Sequence, residues 1–156
     1  MDQTKTEIKL KSAQAFFTKE EKEDITLAIK NAELDTSGEI RVHIENICKG
    51  DAKDQAAYLF EKLEMQKTDL RNGVLFYLAV KNRKFAILGD AGINKAVPDN
   101  FWDNIRNIML EHFRDDKFAE GLEEGIAMAG IQLKEHFPYQ KDDVNELPDE
   151  ISFGEN

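Results

Sequence analysis

One cysteine, three prolines and three histidines are all that 156 residues hold of those types, and each shortage removes a class of protein. A lone Cys48 can close no intramolecular disulfide and build no site of several thiolates. At the end of a candidate strand it reads as a small hydrophobe. His43, His112 and His136 show no zinc-type pairing, so each reads as a surface or packing residue. Basic residues are outnumbered, 21 Lys and Arg against 31 Asp and Glu, for a net charge of −10. Phosphate backbones and anionic lipid surfaces repel such a chain, which excludes nucleic acid and membrane from the expected partners. No run of about 18 apolar residues occurs, and residues 1–11 carry no signal-like apolar stretch. The expectation is a soluble, cytoplasmic monomer. Phosphate-binding Gly-x-x-x-x-Gly-Lys, dinucleotide and Gly-x-Ser-x-Gly signatures are also missing.

What the chain does have is 41% hydrophobic residues, ten Phe among them, enough for one core in a domain of this length. Thr18, Lys19, Glu20 and Glu21 have the capping-box form, and Ile25, Ala28, Ile29 and Ala32 continue at helical spacing until Asp35-Thr36-Ser37-Gly38. Over residues 39–46, Ile40, Val42 and Ile44 alternate with Arg41, His43 and Glu45, the pattern of a strand wet on one face. A second helix follows Gly50-Asp51 with Ala56, Leu59, Phe60 and Leu63 on one stripe. Residues 73–80 are apolar on both alternations, which predicts a central strand buried on two faces. Lys81-Asn82-Arg83 allows only a tight return into residues 84–88, hence an antiparallel hairpin, whereas the first two strands form a parallel crossover. Pro98 suits the first turn of a third helix carrying Phe101, Ile105, Ile108 and Met109. A fourth, from Phe118 to before Pro138, contains Gly121, Gly125 and Gly130. Each costs it about 1 kcal/mol against Ala, which predicts close approach to another backbone.

These elements predict an α/β fold: a three-layer α/β/α sandwich whose small mixed sheet, a parallel β-α-β unit plus an antiparallel hairpin, is flanked by about four helices. Residues 15–138 form the domain, 1–14 an N-terminal extension, and 139–156 an acidic mobile tail that Leu147, Ile151 or Phe153 can pin locally.

Arg71-Asn72-Gly73-Val74-Leu75-Phe76-Tyr77, then Lys84 through Ile93 with its Gly89-Asp90-Ala91-Gly92 turn, then Pro98-Asp99 and Phe113 through Leu122, occur in an order and spacing that resembles the TPM domain family. The likeness reaches back to Phe17-Thr18 and Ser37-Gly38-Glu39-Ile40 and covers about residues 15–138. It implies a small sheet between helices. Members are often exported or membrane-tethered, some associate with photosystem repair or receptors, and calcium binding and acid phosphatase activity are attributed to certain plant members.

Topology places the candidate site. The starts of the two parallel strands lie beside the end of the returning one, so one rim gathers the loops bearing Glu39, Asp69, Arg71, Asn72 and Asp90, with Asp99 and Asp103 entering from the third helix. Converging carboxylates suit a hard cation that takes oxygen ligands, so Ca²⁺ or Mg²⁺ is the expected cofactor, with Asp90 and Asp99 the leading ligands and Glu39, Asp69 and Asp103 behind them. A plain turn at Gly89–Gly92 and a dipole-stabilising acid at Asp99 are the competing readings. Arg71 either pairs with Asp90 or grips an anion, and Asn72 is a further contact. Three functions stay open: a non-catalytic divalent-cation module, a weak metal-dependent acid phosphatase with no nucleophile evident in the chain, or a metal-free interaction domain whose acidic tail meets a basic partner.

Overall fold

A computed structural model of the chain describes residues 13–139 and 145–154. Residues 1–12 of the expected extension, and 140–144 and 155–156 of the expected tail, lie outside the described residues. Helix α1 (Ala13–Phe16) leads directly into α2 (Lys19–Glu33). The capping box closes as its sequence requires, with the Glu21 N–H donating to Thr18 Oγ1 at 3.0 Å and the Thr18 N–H to Glu21 Oε1 at 2.9 Å. Strand β1 (Glu39–Glu45), helix α3 (Ala52–Lys62), β2 (Gly73–Ala79) and β3 (Lys84–Gly89) follow. Asp51 starts α3 by accepting the Lys53 and Asp54 N–H groups.

β1 and β2 pair in parallel with Glu39 opposite Gly73, and β2 and β3 antiparallel with Val74 opposite Gly89. Every residue of β2 is buried, as its unbroken apolar run demands. Ile40, Val42 and Ile44 of β1 and Val74, Phe76 and Leu78 of β2 face α2 and two later helices, α5 (Asp103–Arg114) and α6 (Phe118–His136). Leu75, Tyr77 and Ala79 face α3 and form a second, smaller core with Ala56, Leu59, Phe60 and Cys48. The architecture is therefore the expected α/β/α sandwich.

Three local features depart from the sequence pattern. Between β3 and α5 lies a further helix, α4 (Ala91–Ala96), where a plain loop is expected; Asp90 caps it through the Ala91 N–H. The helix expected to open at Pro98 begins at Asp103, and residues 98–102 instead make successive i→i+3 turns, Phe101 N–H to Pro98 O and Asp103 N–H to Asn100 O. The polar face of β1 is not wet: His43 and Glu45 are 4% and 5% exposed. Glu45 is satisfied there by the Tyr77 hydroxyl at 2.6 Å and by Gln55 Nε2 at 3.2 Å, which lets a carboxylate sit beneath α3.

The C-terminal segment returns along β1. Leu147 is buried against the smaller core, and β4 (Ser152–Phe153) adds a parallel fourth strand, giving the order β3-β2-β1-β4. At the other end of the sheet, Arg83 of the hairpin bonds Asp116 at 2.7 Å, which places the α5–α6 turn opposite the candidate rim.

Candidate functional site

The rim gathers as the strand directions require. The Glu39 N–H donates to Asn72 O at 3.3 Å, the Asp90 N–H to Gly73 O at 3.0 Å and the Gly92 N–H to Arg71 O at 2.8 Å, so the three loops touch through their backbones. The end of α6 braces the first of them: the Ser37 N–H donates to Phe137 O, the Tyr139 N–H to Asp35 O, and the Thr36 hydroxyl to Phe137 O.

The side chains, however, divide between two clefts. Asn72, 1% exposed, lies at the meeting point and spends its amide on Ser37 O at 3.1 Å. On one side Asp90 is held by Arg71 in a two-pronged pair, Nε to Oδ2 and Nη2 to Oδ1, both 2.8 Å. Both oxygens of the leading expected ligand are thus engaged, and Oδ1 also accepts the Ala91 N–H. This cleft, about 430 Å³, is otherwise lined by Phe60, Gln66, Leu88 and Asn94.

Glu39 belongs to the second cleft, of about 450 Å³, with Glu33, Thr36, Ser37, Asn145 and Asp149. Glu39 is 3% exposed; its Oε1 accepts the Glu146 and Leu147 N–H groups at 2.5 Å each, while Oε2 is buried with no hydrogen-bond partner. Burial pushes its pKa from 4.5 to about 7, against the pull of those two N–H groups. Glu33, at the end of α2, accepts the Ile40 N–H at 2.8 Å and is hydrogen-bonded to Asp149. Burial and that acid-to-acid bond raise it to about 9. Glu33 accordingly keeps its proton at neutral pH, with Asp149 beside it.

Asp69, Asp99 and Asp103 line neither cleft. Asp69 is exposed beside Glu146, Asp99 is exposed between α4 and α5, and Asp103 pairs weakly with Arg106 at 3.6 Å. Among the described residues, no group of three or more His, Cys, Asp or Glu is arranged to hold a metal ion. Glu33 and Asp149 are not among the residues that the sequence singles out: Glu33 is one more polar residue at a helix end, and Asp149 comes from a segment with no periodic pattern. The one signal is that Glu33 precedes the turn facing Glu39.

A mixed sheet between one helix and a helical layer, with an acidic cleft where β1 begins, defines the class: an α/β sandwich with its candidate site in the loops of one rim. The chain belongs to the TPM domain family, whose model matches residues 11–132. It is similar to the BA42 protein of the psychrophilic bacterium Bizionia argentinensis, at 48% identity over 89% of this chain and 96% of that one, with a TM-score of 0.84. The N-terminal domain of a P. gingivalis protein shares the fold at 23% identity and a TM-score of 0.63, covering 80% of this chain and 82% of that one. The N-terminal domain of the cg2496 protein of Corynebacterium glutamicum does so at 15% identity and 0.61, covering 75% and 74%. A search of the curated proteins finds no match. No helix among the described residues is long and apolar enough to cross a membrane.

Proposed function

We propose that the protein is a non-catalytic module that takes up a divalent cation, Ca²⁺ or Mg²⁺, at the cleft of Glu39, Glu33 and Asp149, in exchange for the protons that Glu39 and Glu33 hold. The observation that carries this reading is Glu39 itself: a buried carboxylate with one oxygen lacking any partner, lining the same cleft as Glu33 and Asp149. A buried carboxylate is costly unless a proton or a cation compensates it. Hard cations favour oxygen donors, and the Thr36 and Ser37 side chains in the lining add to them. The three carboxyls are not arranged around one point in the described structure, so uptake of the ion draws them together. Asp90 is left out because Arg71 already neutralises it.

Cation and proton compete for the same oxygens, so affinity should rise with pH across the range in which Glu39 titrates, near 7. Titration with CaCl₂ and MgCl₂, followed by amide NMR, tests this at several pH values. Shifts are expected at residues 33–39 and 145–149, lost in Glu39→Gln and retained in Asp90→Asn. If neither salt moves those amides at millimolar concentration, the cation reading is wrong. Ion-dependent turnover of a phosphomonoester would instead turn the protein into a metal-dependent phosphatase.

A further inference from the structure

The sheet has one edge that the chain covers sparingly. Along β1, all seven residues pair with β2 on one side, but on the other only His43 and Ile44 pair, with Ser152 and Phe153. The covering segment, residues 145–154, is held by polar contacts at alternate β1 positions. Glu39 takes the Glu146 and Leu147 N–H groups, Arg41 has Glu150 near it, and His43 Nδ1 meets Ser152 Oγ at 2.9 Å. The Gly154 N–H donates to Ile44 O at 2.8 Å. Only Leu147 is fully buried; Ile151 and Phe153 are partly so.

The charge of this segment is a poor match for what it covers. It carries Glu146, Asp149 and Glu150 and no basic residue. Glu150 has Arg41 as a neighbour, but Glu146 and Asp149 both raise the cost of ionising Glu39, and Asp149 does the same to Glu33. Two acids are therefore laid against two acids, and the one positive side chain lining that cleft is Lys30. An extended segment with Lys or Arg at those two places would keep the two backbone N–H bonds to Glu39 and the Gly154 bond to Ile44. It would give up the Glu146 side-chain contact with the Asp69 N–H and would set a positive side chain beside each acid.

We infer that the β1 edge is a strand-acceptor surface for an extended, basic segment of another protein, which binds parallel to β1 and displaces the chain's own acidic strap. The strap occupies the edge in cis, protecting it from indiscriminate pairing, and its acid-against-acid contacts, which hold only while Glu33 and Glu39 keep their protons, make it replaceable. A partner residue in the Leu147 position fills an apolar slot beside Met65 and Gly73. Basic side chains reach Glu33 and Glu39. A second copy of this chain is the wrong occupant, because the strap it would donate is equally acidic. This goes beyond the cation reading and does not depend on it, although both ligands use Glu33 and Glu39 and should compete.

The test uses two synthetic peptides, one copying residues 145–154 and one with Glu146 and Asp149 replaced by Lys, added to the full chain. The Lys peptide is expected to bind at least tenfold more tightly at low salt, with amide shifts along β1 at Ile40, Val42 and Ile44 and at the strap's own Leu147 and Gly154. Affinity should fall as salt rises, and CaCl₂ should displace the peptide if the cation reading also holds. Equal binding of the two peptides, no binding of either, or shifts away from β1 would overturn the inference. An independent check is made within the chain: Asp149→Lys should slow amide exchange at Leu147 and Gly154, and faster or unchanged exchange counts against it. Failure of the peptide with calcium shifts intact sinks this inference alone; the converse sinks the cation site alone.

Discussion

Gly130→Ala sets helix propensity against packing at one atom. In α6, Ala is favoured over Gly by about 1 kcal/mol, so propensity alone predicts stabilisation. A Cβ at Gly130, however, would stand 2.7 Å from Ala32 Cβ, 2.9 Å from Ala32 Cα and 3.0 Å from Ala32 O. Carbon atoms rest about 3.5–4.0 Å apart, so α2 and α6 must separate by most of an ångström, and no flexible side chain is there to yield. That movement loosens Ile25 and Ile29 against Ala129 and Leu133, all fully buried or nearly so. Overpacking of this kind costs about 1–3 kcal/mol. Contact with backbone puts this site at the upper end, for a net loss of about 2 kcal/mol after the propensity gain. For a domain of this size that lowers Tm by roughly 4–8 °C. Gly125→Ala is the internal contrast: its Cβ meets Met109 Sδ and Cγ at 2.5 and 2.8 Å, the far part of an adaptable side chain. Its Tm should change by less than half as much. Thermal and urea denaturation followed by circular dichroism decide between the two. A Gly130→Ala variant as stable as the parent would refute the reasoning, as would equal losses at both sites.

Stability should fall as pH rises above 4.5, because the unfolded chain releases the Glu33 and Glu39 protons there while the folded chain keeps them until about 9 and about 7. Urea midpoints at pH 5, 7 and 9 should decline in the parent and flatten in Glu33→Gln; a flat parent profile contradicts the retention of protons by Glu33 and Glu39. His43 acts with opposite sign, since burial lowers its pKa below 6.5 and its contribution is lost as pH falls through that lowered value. His43→Gln should therefore improve stability at the acid end relative to neutral pH. Tyr77→Phe removes the 2.6 Å bond to buried Glu45 and should cost about 1–3 kcal/mol in urea denaturation; a change within error would mean that Gln55 satisfies Glu45 alone. Gly92→Ala puts a Cβ 2.1 Å from Leu70 O and 2.6 Å from Arg71 O, both backbone. It should cost about 3 kcal/mol or more and release the Arg71–Asp90 pair, visible as a shifted Arg71 Nε resonance.

The large elements were legible because each carried its own periodic or punctuating signal. Thr18 and Glu21 announced α2, the doubly apolar run announced β2, and three residues between strands left only a hairpin. The glycines of α6 announced close approach to another backbone, which holds at Gly130 against Ala32 of α2, whereas Gly121 and Gly125 are met by the Phe113 and Met109 side chains of α5. What escaped was short or polar. Helix α4 spans six residues, too few for a hydrophobic period, and its Gly92 is required by the neighbouring backbone rather than by a turn. β4 spans two residues and finds its partner more than 100 positions away. The polar alternation of β1 suggests a wet face because pattern alone does not show that Tyr77 and Gln55, from other elements, satisfy Glu45.

The candidate site was half legible for a related reason. Strand direction follows from loop length, so the gathering of three loops could be worked out without coordinates. The direction of each side chain at a rim depends on turns, where the two-residue alternation of strands no longer applies. Arg71 shows this most clearly: at φ 51° it lies in the left-handed region, which a non-glycine residue adopts at some cost. There its guanidinium meets Asp90, and the acid that headed the expected ligand set is neutralised by the neighbouring loop. Glu39, by contrast, is fixed by strand register opposite Gly73, and its burial is completed by a segment with no periodic signature. A cluster of acids in a sequence therefore says little about a cation until the nearest arginine is placed. An acid at the first position of a buried parallel strand says more, because the sheet desolvates it whatever the loops do.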